Sequence, residues 1–281
     1  IVIHGDRIEA LAGAIIGSFN NILVSHIEGG ELSGTLDELI RHAITKLSHI
    51  HFVSNNEAKN RLIQMGERKD SIFDIGSPDI EVMKSDKLPD FSEAKKYYDI
   101  PFENYSVFIF HPVVSEISFS QQQIEDTISA LIESKKNYIV IYPNNDKGSE
   151  IIINEFHRLK NNDHFKIYPS IRFEYFLSIL KHSKCIVGNS SVGIREAEIY
   201  EIPSIDIGSR QKNRSNHPDI IHVNPEKTEI LEALIAAENK TIKCLHSFGN
   251  GENTSKQFFQ ILNDEKIWKT SIQKQFIDMP K

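Results

Sequence analysis

Short apolar runs alternate with helical patterns along nearly the whole chain. The run "IVIH" precedes the helix-like "RIEALAGAIIGSFN", and "IHFVS" precedes "NEAKNRLIQMG". After a polar interruption the same rhythm returns with "YSVFIF", "NYIVIY", "KCIVG" and "IPSIDIG". Strands that alternate with helices form parallel sheets whose faces the helices cover. The sequence therefore predicts an α/β protein.

The polar interruption divides the strands into two series. Residues 84–101, "KSDKLPDFSEAKKYYDIP", carry two prolines and are typical of a crossing between domains. We expect one lobe at residues 1–85, a second at residues 86–255, and a C-terminal helix at residues 256–281 that packs back toward the first lobe. Two α/β units joined in this way predict a two-lobed architecture with a cleft between the lobes.

Composition excludes several classes of protein. The formal net charge is −7 and the isoelectric point about 6.0, which argues against binding to nucleic acid or to an anionic membrane. No apolar run approaches the length of a membrane span, and the opening "IVIHGDR" is expected to be a strand and not a signal peptide. The two cysteines, Cys185 and Cys244, have no metal-binding spacing, which favours reduced thiols in a cytoplasmic protein. The chain has no G-x-G-x-x-G fingerprint and no metal cluster, so no cofactor is predicted.

Polar clusters follow several predicted strands at the point where each strand ends. In open parallel sheets, ligands bind beyond the carboxyl ends of the strands. The clusters that fit this geometry are His4-Gly5-Asp6-Arg7, His26-Ile27-Glu28-Gly29-Gly30, His111-Pro112, Asn144-Asn145-Asp146 and Asn189-Ser190-Ser191.

Each cluster also has a purely structural interpretation. Asp6 suits a helix N-cap, and Thr35 with Glu38 has the spacing of a capping box. The hydroxyls of "GNSS" suit either a cap or an anion site at a helix N-terminus. Similarly, Phe176 suits a helix core as well as a wall for a planar base. Local spacing leaves these alternatives open.

Long motifs in chain order carry a family resemblance. They are "HGDRIEALAG", "HIEGGELSGTLDELIRHAITKLSHIHF", "GSPD", "FHPV", "YPNND", "GNSSVGIREA" and "DIGSRQKNR". Together they resemble the hydrolysing UDP-N-acetylglucosamine 2-epimerases of sialic-acid biosynthesis. The resemblance covers nearly the whole chain and implies the GT-B fold, with two Rossmann-like lobes and the active site in the interdomain cleft. Since members of that family carry an upstream segment, the first lobe is expected to be incomplete, with an exposed strand edge.

The resemblance also implies a reaction and a set of site residues. The family converts UDP-N-acetylglucosamine and water to N-acetylmannosamine and UDP, by elimination of UDP and hydration of the resulting glycal. The catalytic residues it implies are Asp6, Glu28, Asp37, Glu38 and His111. The residues it implies for binding substrate or UDP are Arg7, Arg41, Ser190, Ser191, Gly193, Glu196, Arg210 and Phe176. Arg41 lies four residues after Asp37 and is expected to orient it.

The expected partners are UDP-N-acetylglucosamine and UDP, without metal, nucleic acid or membrane, in a homodimer or higher homo-oligomer. The same chemistry on the diacetamido-trideoxy sugar nucleotide of legionaminic-acid synthesis is the main alternative, although "HIEGG" rather than "HIHGG" favours N-acetylglucosamine. A non-hydrolysing epimerase, a GT-B glycosyltransferase and a truncated UDP-sugar-binding module without activity are further alternatives.

Overall fold

The computed structural model describes residues 1–33, 36–215, 217–249, 251–275 and 277–278. The strands in chain order are β1 (Val2–His4), β2 (Ser25–Ile27), β3 (Ile50–Val53), β4 (Ile72–Asp74), β5 (Ser106–Ile109), β6 (Tyr138–Ile141), β7 (Phe165–Tyr168), β8 (Ile186–Gly188), β9 (Ser204–Ile207) and β10 (Ile221–Val223). The helices are α1 (Ile8–Phe19), α2 (Leu36–Leu47), α3 (Asn56–Gln64), α4 (Pro78–Met83), α5 (Phe91–Tyr97), α6 (Ser120–Glu133), α7 (Ser149–Glu155), α8 (Phe173–Lys181), α9 (Glu196–Ile199), α10 (Lys227–Ala236) and α11 (Thr254–Leu262).

The chain forms two compact units, each built on its own parallel sheet. The first unit comprises Ile1–Ser85 with Phe248–Lys281, and the second comprises Asp86–Ser247. The first sheet has the strand order β1-β2-β3-β4, and the second has the order β10-β9-β8-β5-β6-β7. Every described strand pair is parallel. The predicted α/β class with two parallel sheets is therefore confirmed.

The second unit has the larger core. The strands β5 and β9 are buried at every residue, as expected for parallel strands covered on both faces. Their inward side chains pack with α6 and α10 around Phe108, which lies 6.0 Å from Phe156 between ring centroids. Residues 84–101 contain α5, whose Ala94 is buried, so this segment is more structured than a simple crossing.

The first unit is stabilised partly by the end of the chain. The Phe258 ring of α11 lies 4.7 Å from Phe52 of β3 between centroids, and Ile267 joins the same apolar cluster. At the other edge of the sheet, β1 leaves Val2 54% exposed and α1 leaves Phe19 81% exposed. This is the exposed strand edge that the sequence led us to expect.

A buried carboxylate holds Lys274 of the C-terminal segment against this unit. Glu67 is held by His51 Nε2 at 3.1 Å, Lys46 Nζ at 2.8 Å and Lys274 Nζ at 2.6 Å. Burial by itself would raise the pKa of Glu67, but the hydrogen bonds from His51, Lys274 and Lys46 lower it to about 2. Lys274 also donates to the carbonyl of Ser48 at 2.5 Å, so it joins the chain end to the loop after α2.

Among the described residues, we find no helix with the length and apolar character that crossing a membrane requires.

Candidate functional site

In the first unit, an acidic side chain that follows β1 pairs with a buried arginine. The carboxylate of Asp6 accepts a hydrogen bond from Arg41 of α2, which is only 2% exposed. Arg41 also donates to the carbonyl of Glu31 at 3.0 Å and to the Ser33 hydroxyl at 3.3 Å. The guanidinium thus holds Asp6 and the loop before α2 together. Arg41 thus bonds to Asp6, which follows β1, and not to Asp37, the partner that the spacing in α2 suggested.

Glu28 follows β2 in an unusual backbone conformation. Its φ is +69°, its residue is 6% exposed, and its Oε2 lies 3.3 Å from His4 Nε2. A non-glycine residue in this region costs of order 1–3 kcal/mol and persists where its surroundings impose it. Gly30 follows with φ +80°, and a side chain there would overlap the Ala58 carbonyl. The turn after β2 therefore presents Glu28 at the cost of local strain.

The remaining candidates of the first unit lie at the starts of α1 and α2. Arg7 is exposed and occupies the N-cap position of α1, so the N-cap interpretation of Asp6 is wrong. Asp37 and Glu38 lie in the first turn of α2. The Glu38 carboxylate accepts the Ser33 N–H at 2.8 Å. Thr35, the other half of the expected capping box, lies outside the described residues.

A buried histidine lies beneath both strand ends. His26 of β2 is 0% exposed, and its Nε2 lies 3.0 Å from the Gly5 carbonyl oxygen. Its Nδ1 lies 3.1 Å from the Thr45 hydroxyl. Burial lowers the pKa of His26 to about 3, so the imidazole is neutral at physiological pH.

We expect the first unit to lose stability on acidification. Below pH 6.5 the unfolded chain protonates His26, whereas the folded unit does not until about pH 3, so the free energy of unfolding falls with pH. The loss from this group is about 2–3 kcal/mol by pH 4.5. Buried His51, whose pKa burial also lowers, acts in the same direction, and Glu67 adds to the loss as pH falls from 4.5 toward 2.

The single tryptophan, Trp268, lies in the first unit and provides the measurement. Urea unfolding followed by its fluorescence should show a lower midpoint at pH 4.5 than at pH 7. Equal midpoints at the two pH values would contradict the buried neutral histidines.

One group of side chains in the described part of the chain has atoms placed to bind a cation. Ligand atoms of His4, Glu28 and Asp79 lie within 4.8 Å of one another. His4 and Glu28 already pair directly, so two of these three side chains also interact without a cation.

In the second unit, Asn189 joins the loops that follow β5 and β8. Its side-chain oxygen accepts the His111 N–H at 2.6 Å, and its Nδ2 donates to the His111 carbonyl at 2.9 Å. The His111 Nδ1 accepts the Asn144 N–H at 3.0 Å. Since Nδ1 is thereby the acceptor, a neutral His111 carries its proton on Nε2. Three strand ends therefore share one hydrogen-bonded network.

The "GNSS" segment forms a tighter turn than the predicted helix start. A 3₁₀ turn at Ser191–Gly193 precedes the short α9, and the Ser190 hydroxyl accepts the Val192 N–H at 3.4 Å. Ser190 is thus a cap, as one interpretation predicted. A side chain at Gly193 would meet the Ser204 hydroxyl at 2.7 Å, so the glycine has a packing role against β9.

The last candidates of the second unit are all largely buried. Arg210 donates to the Asn189 carbonyl at 3.2 Å, and Gln211 donates to the same oxygen at 2.9 Å. Glu196 begins α9 and is 9% exposed. Phe176 lies in α8 and is only 7% exposed. This burial agrees better with a place in the helix core than with an open aromatic wall.

Sequence reasoning missed Glu31 and the roles of His26 and Asn189. Glu31 is 3% exposed, and its carboxylate accepts a hydrogen bond from the Ser54 hydroxyl at 2.5 Å. The backbone carbonyl of Glu31 is the one that Arg41 binds. Its position directly after two glycines, in "EGGE", was a signal that a second carboxylate belongs to this strand end.

The chain matches the family model described as UDP-N-acetylglucosamine 2-epimerase over residues 1–263. It is 49% identical to the UDP-N-acetylglucosamine 2-epimerase of Neisseria meningitidis serogroup B, over 99% of this chain and 74% of that protein. It is 35% identical to the UDP-N,N'-diacetylbacillosamine 2-epimerase (hydrolyzing) of Legionella pneumophila, over 93% of this chain and 70% of that protein.

Among solved structures, the chain resembles UDP-GlcNAc 2-epimerase of Methanocaldococcus jannaschii in complex with UDP-GlcNAc and UDP. The TM-score is 0.76, the identity is 22%, and the alignment covers 93% of this chain and 74% of that one. The similarity concerns the fold, and it confirms the predicted GT-B class.

Proposed function

Because the chain belongs to the UDP-N-acetylglucosamine 2-epimerase family, we propose that it is a hydrolysing 2-epimerase acting in sialic-acid synthesis. It converts UDP-N-acetylglucosamine and water to N-acetylmannosamine and UDP. The observation that carries the proposal is the first-unit pair of strand ends, where Asp6 is bonded to buried Arg41 and Glu28 is held in a strained turn. Two carboxylates on adjacent parallel strands suit a reaction that removes a proton from a carbon and later returns one.

The reaction has two halves. A carboxylate of the first unit takes the proton from C2, and the C2–H electron pair forms the C1=C2 double bond. The C1–O bond breaks at the same time, and its electron pair leaves with UDP. Water then adds its oxygen to C1 of the glycal and passes a proton to a carboxylate, and C2 receives a proton on the opposite face, which inverts that carbon. Asp6 and Glu28 are the proposed acid and base, and Asp37 and Glu38 of α2 assist on the sugar side. Arg41 acts by holding Asp6, and Arg7 contributes positive charge for the substrate.

The second unit is proposed to bind UDP. His111, whose Nδ1 accepts the Asn144 N–H, stabilises the charge that develops on the leaving diphosphate. Ser190 and Ser191 donate to phosphate oxygens, and Arg210 adds charge-assisted hydrogen bonds. Glu196 binds the ribose hydroxyls. Gly193 has no side chain and so lets UDP approach the backbone of the turn closely. Phe176 is left out of the proposed UDP site, because its side chain is buried in α8.

Hydrolysis is favoured by the Legionella relative, whose own reaction is described as hydrolyzing. That relative also keeps the second candidate open, namely the same chemistry on a diacetamido sugar nucleotide. The higher identity to the Neisseria protein favours N-acetylglucosamine as the substrate.

The proposal is tested by incubating the protein with UDP-N-acetylglucosamine in water alone and identifying the products by NMR. We expect free UDP and free N-acetylmannosamine in equal amounts. UDP-linked N-acetylmannosamine would show a non-hydrolysing epimerase. Turnover of only the diacetamido sugar nucleotide, offered in a parallel sample, would support the second candidate.

A further inference from the structure

The contacts of His26 allow only one arrangement of protons. The Gly5 carbonyl can only accept a hydrogen bond, so His26 Nε2, 3.0 Å away, carries the proton. Since the ring is neutral, Nδ1 has a lone pair and accepts from the Thr45 hydroxyl at 3.1 Å. Thr45 is also 0% exposed, so both hydrogen bonds are shielded from water. The histidine is therefore locked in one tautomer and one orientation.

This ring contacts the loops that carry both proposed catalytic carboxylates. Gly5 directly precedes Asp6 and adopts a φ of +78°, with its N–H bonded to the Ile27 carbonyl at 3.2 Å. The His26 bond fixes the carbonyl of the same residue, so Gly5 is held at both its N–H and its carbonyl. On the β2 side, a side chain at Gly29 would meet His26 Nδ1 and the Thr45 hydroxyl, each at 3.1 Å. The backbone that follows Glu28 therefore lies directly on the ring.

We infer that His26 is a positioning residue that sets the spacing of the Asp6 and Glu28 carboxylates; this inference rests on the proposed 2-epimerase function. Its Nε2–H holds the peptide before Asp6, and its buried ring supports the turn after Glu28. His26 does not exchange a proton with the substrate, because both of its nitrogens are used inside the fold. The charged or titratable groups that influence it are His51, Arg41 and Glu28.

Two substitutions separate this role from general packing. In His26→Gln the amide nitrogen can occupy the place of Nε2 and donate to Gly5, whereas in His26→Asn the amide ends near the place of Nδ1. We expect His26→Gln to keep a kcat close to that of the wild type, and His26→Asn to lower kcat roughly tenfold with KM unchanged. Both variants should have similarly lowered melting temperatures, because each leaves space around a shorter or thinner side chain. Equal kcat values in the two variants would overturn the inference.

The pH profile of kcat distinguishes positioning from acid–base chemistry. We expect His26→Gln to keep the wild-type pH profile. Loss of one limb of the profile in this variant would make His26 a proton-transfer group and would overturn the positioning role.

If both histidine variants fail to fold, Thr45→Val tests the same ring, since it leaves the buried Nδ1 without a donor and so frees the ring to turn. We expect a lower kcat in Thr45→Val and recovery in Thr45→Ser. A wild-type kcat in Thr45→Val would overturn the inference.

A measurement without turnover separates failure of this inference from failure of the proposed function. Nitrogen-15 NMR of the histidine-labelled protein should show His26 as the neutral Nε2–H tautomer from pH 5 to pH 8. Titration of His26 near pH 6.5, or an Nδ1–H tautomer, would refute the inference even in an active enzyme. An inactive wild-type protein whose His26 shows the expected signals would instead refute the proposed function.

Discussion

The substitutions Asp6→Asn and Glu28→Gln should each lower kcat by about 10²–10⁴-fold, the range typical of a lost acid–base group. Each change keeps the size of the side chain but removes its ability to take up and release a proton. UDP affinity should change little, because the proposed UDP-binding residues belong to the second unit. The rate of UDP release from UDP-N-acetylglucosamine measures the first effect, and calorimetric titration with UDP measures the second.

Asp70→Asn is the matched control for Asp6→Asn. Asp70 also pairs with an arginine, with its Oδ1 2.9 Å from Arg68 Nε, but this pair is exposed and lies away from the carboxyl ends of the strands. We expect the control to keep wild-type turnover, since exposed ion pairs contribute little to stability. Wild-type rates in Asp6→Asn or Glu28→Gln would remove that carboxylate from the proposed mechanism.

The double variant Ser190→Ala, Ser191→Ala should bind UDP at least about a hundredfold more weakly than the wild type. A hydrogen bond to a charged group contributes roughly 1.5–3 kcal/mol, which is about ten- to a hundredfold in affinity for each hydroxyl. Loss of the weak cap that Ser190 provides to Val192 should cost about 1 kcal/mol or less. Titration with UDP and a thermal melt on the same samples measure both effects.

Ser134→Ala is a control for the loss of a local serine hydrogen bond. The Ser134 hydroxyl accepts the Lys136 N–H at 3.3 Å, and it precedes β6 at the amino end of the same sheet. This control should alter the melting temperature without lowering the affinity for UDP. If the double variant also bound UDP normally and lost only stability, the two serines would be caps and not ligands of the diphosphate.

Strands and their polar ends were predictable because they depend on local patterns. The apolar runs fixed β5, β6, β8 and β9 to within a few residues, and helical periodicity identified α1 and α2. The polar residues that follow those strands could be identified from the sequence as well. Residues 84–101 were harder, since α5 is short and only Ala94 of that helix is fully buried.

The contacts within the candidate site were not predictable from spacing. Arg41 is four residues from Asp37, which suggested a helical pair, yet it bonds to Asp6, 35 positions away in the sequence. Local spacing favours i,i+4 partners by only about 0.2–0.5 kcal/mol, so a buried long-range partner easily prevails. The turn at Ser191–Gly193 differs from the predicted helix start for a similar reason, because Gly193 packs against Ser204 of another strand.

Inversion at C2 with release of UDP is tested most directly by NMR of the sugar formed from UDP-N-acetylglucosamine in D₂O. The elimination and addition steps exchange the C2 proton with solvent, so the predicted products are free UDP and N-acetylmannosamine that carries deuterium at C2. N-acetylmannosamine that retained protium at C2 would contradict the glycal route, and a product still linked to UDP would contradict the hydrolysing function.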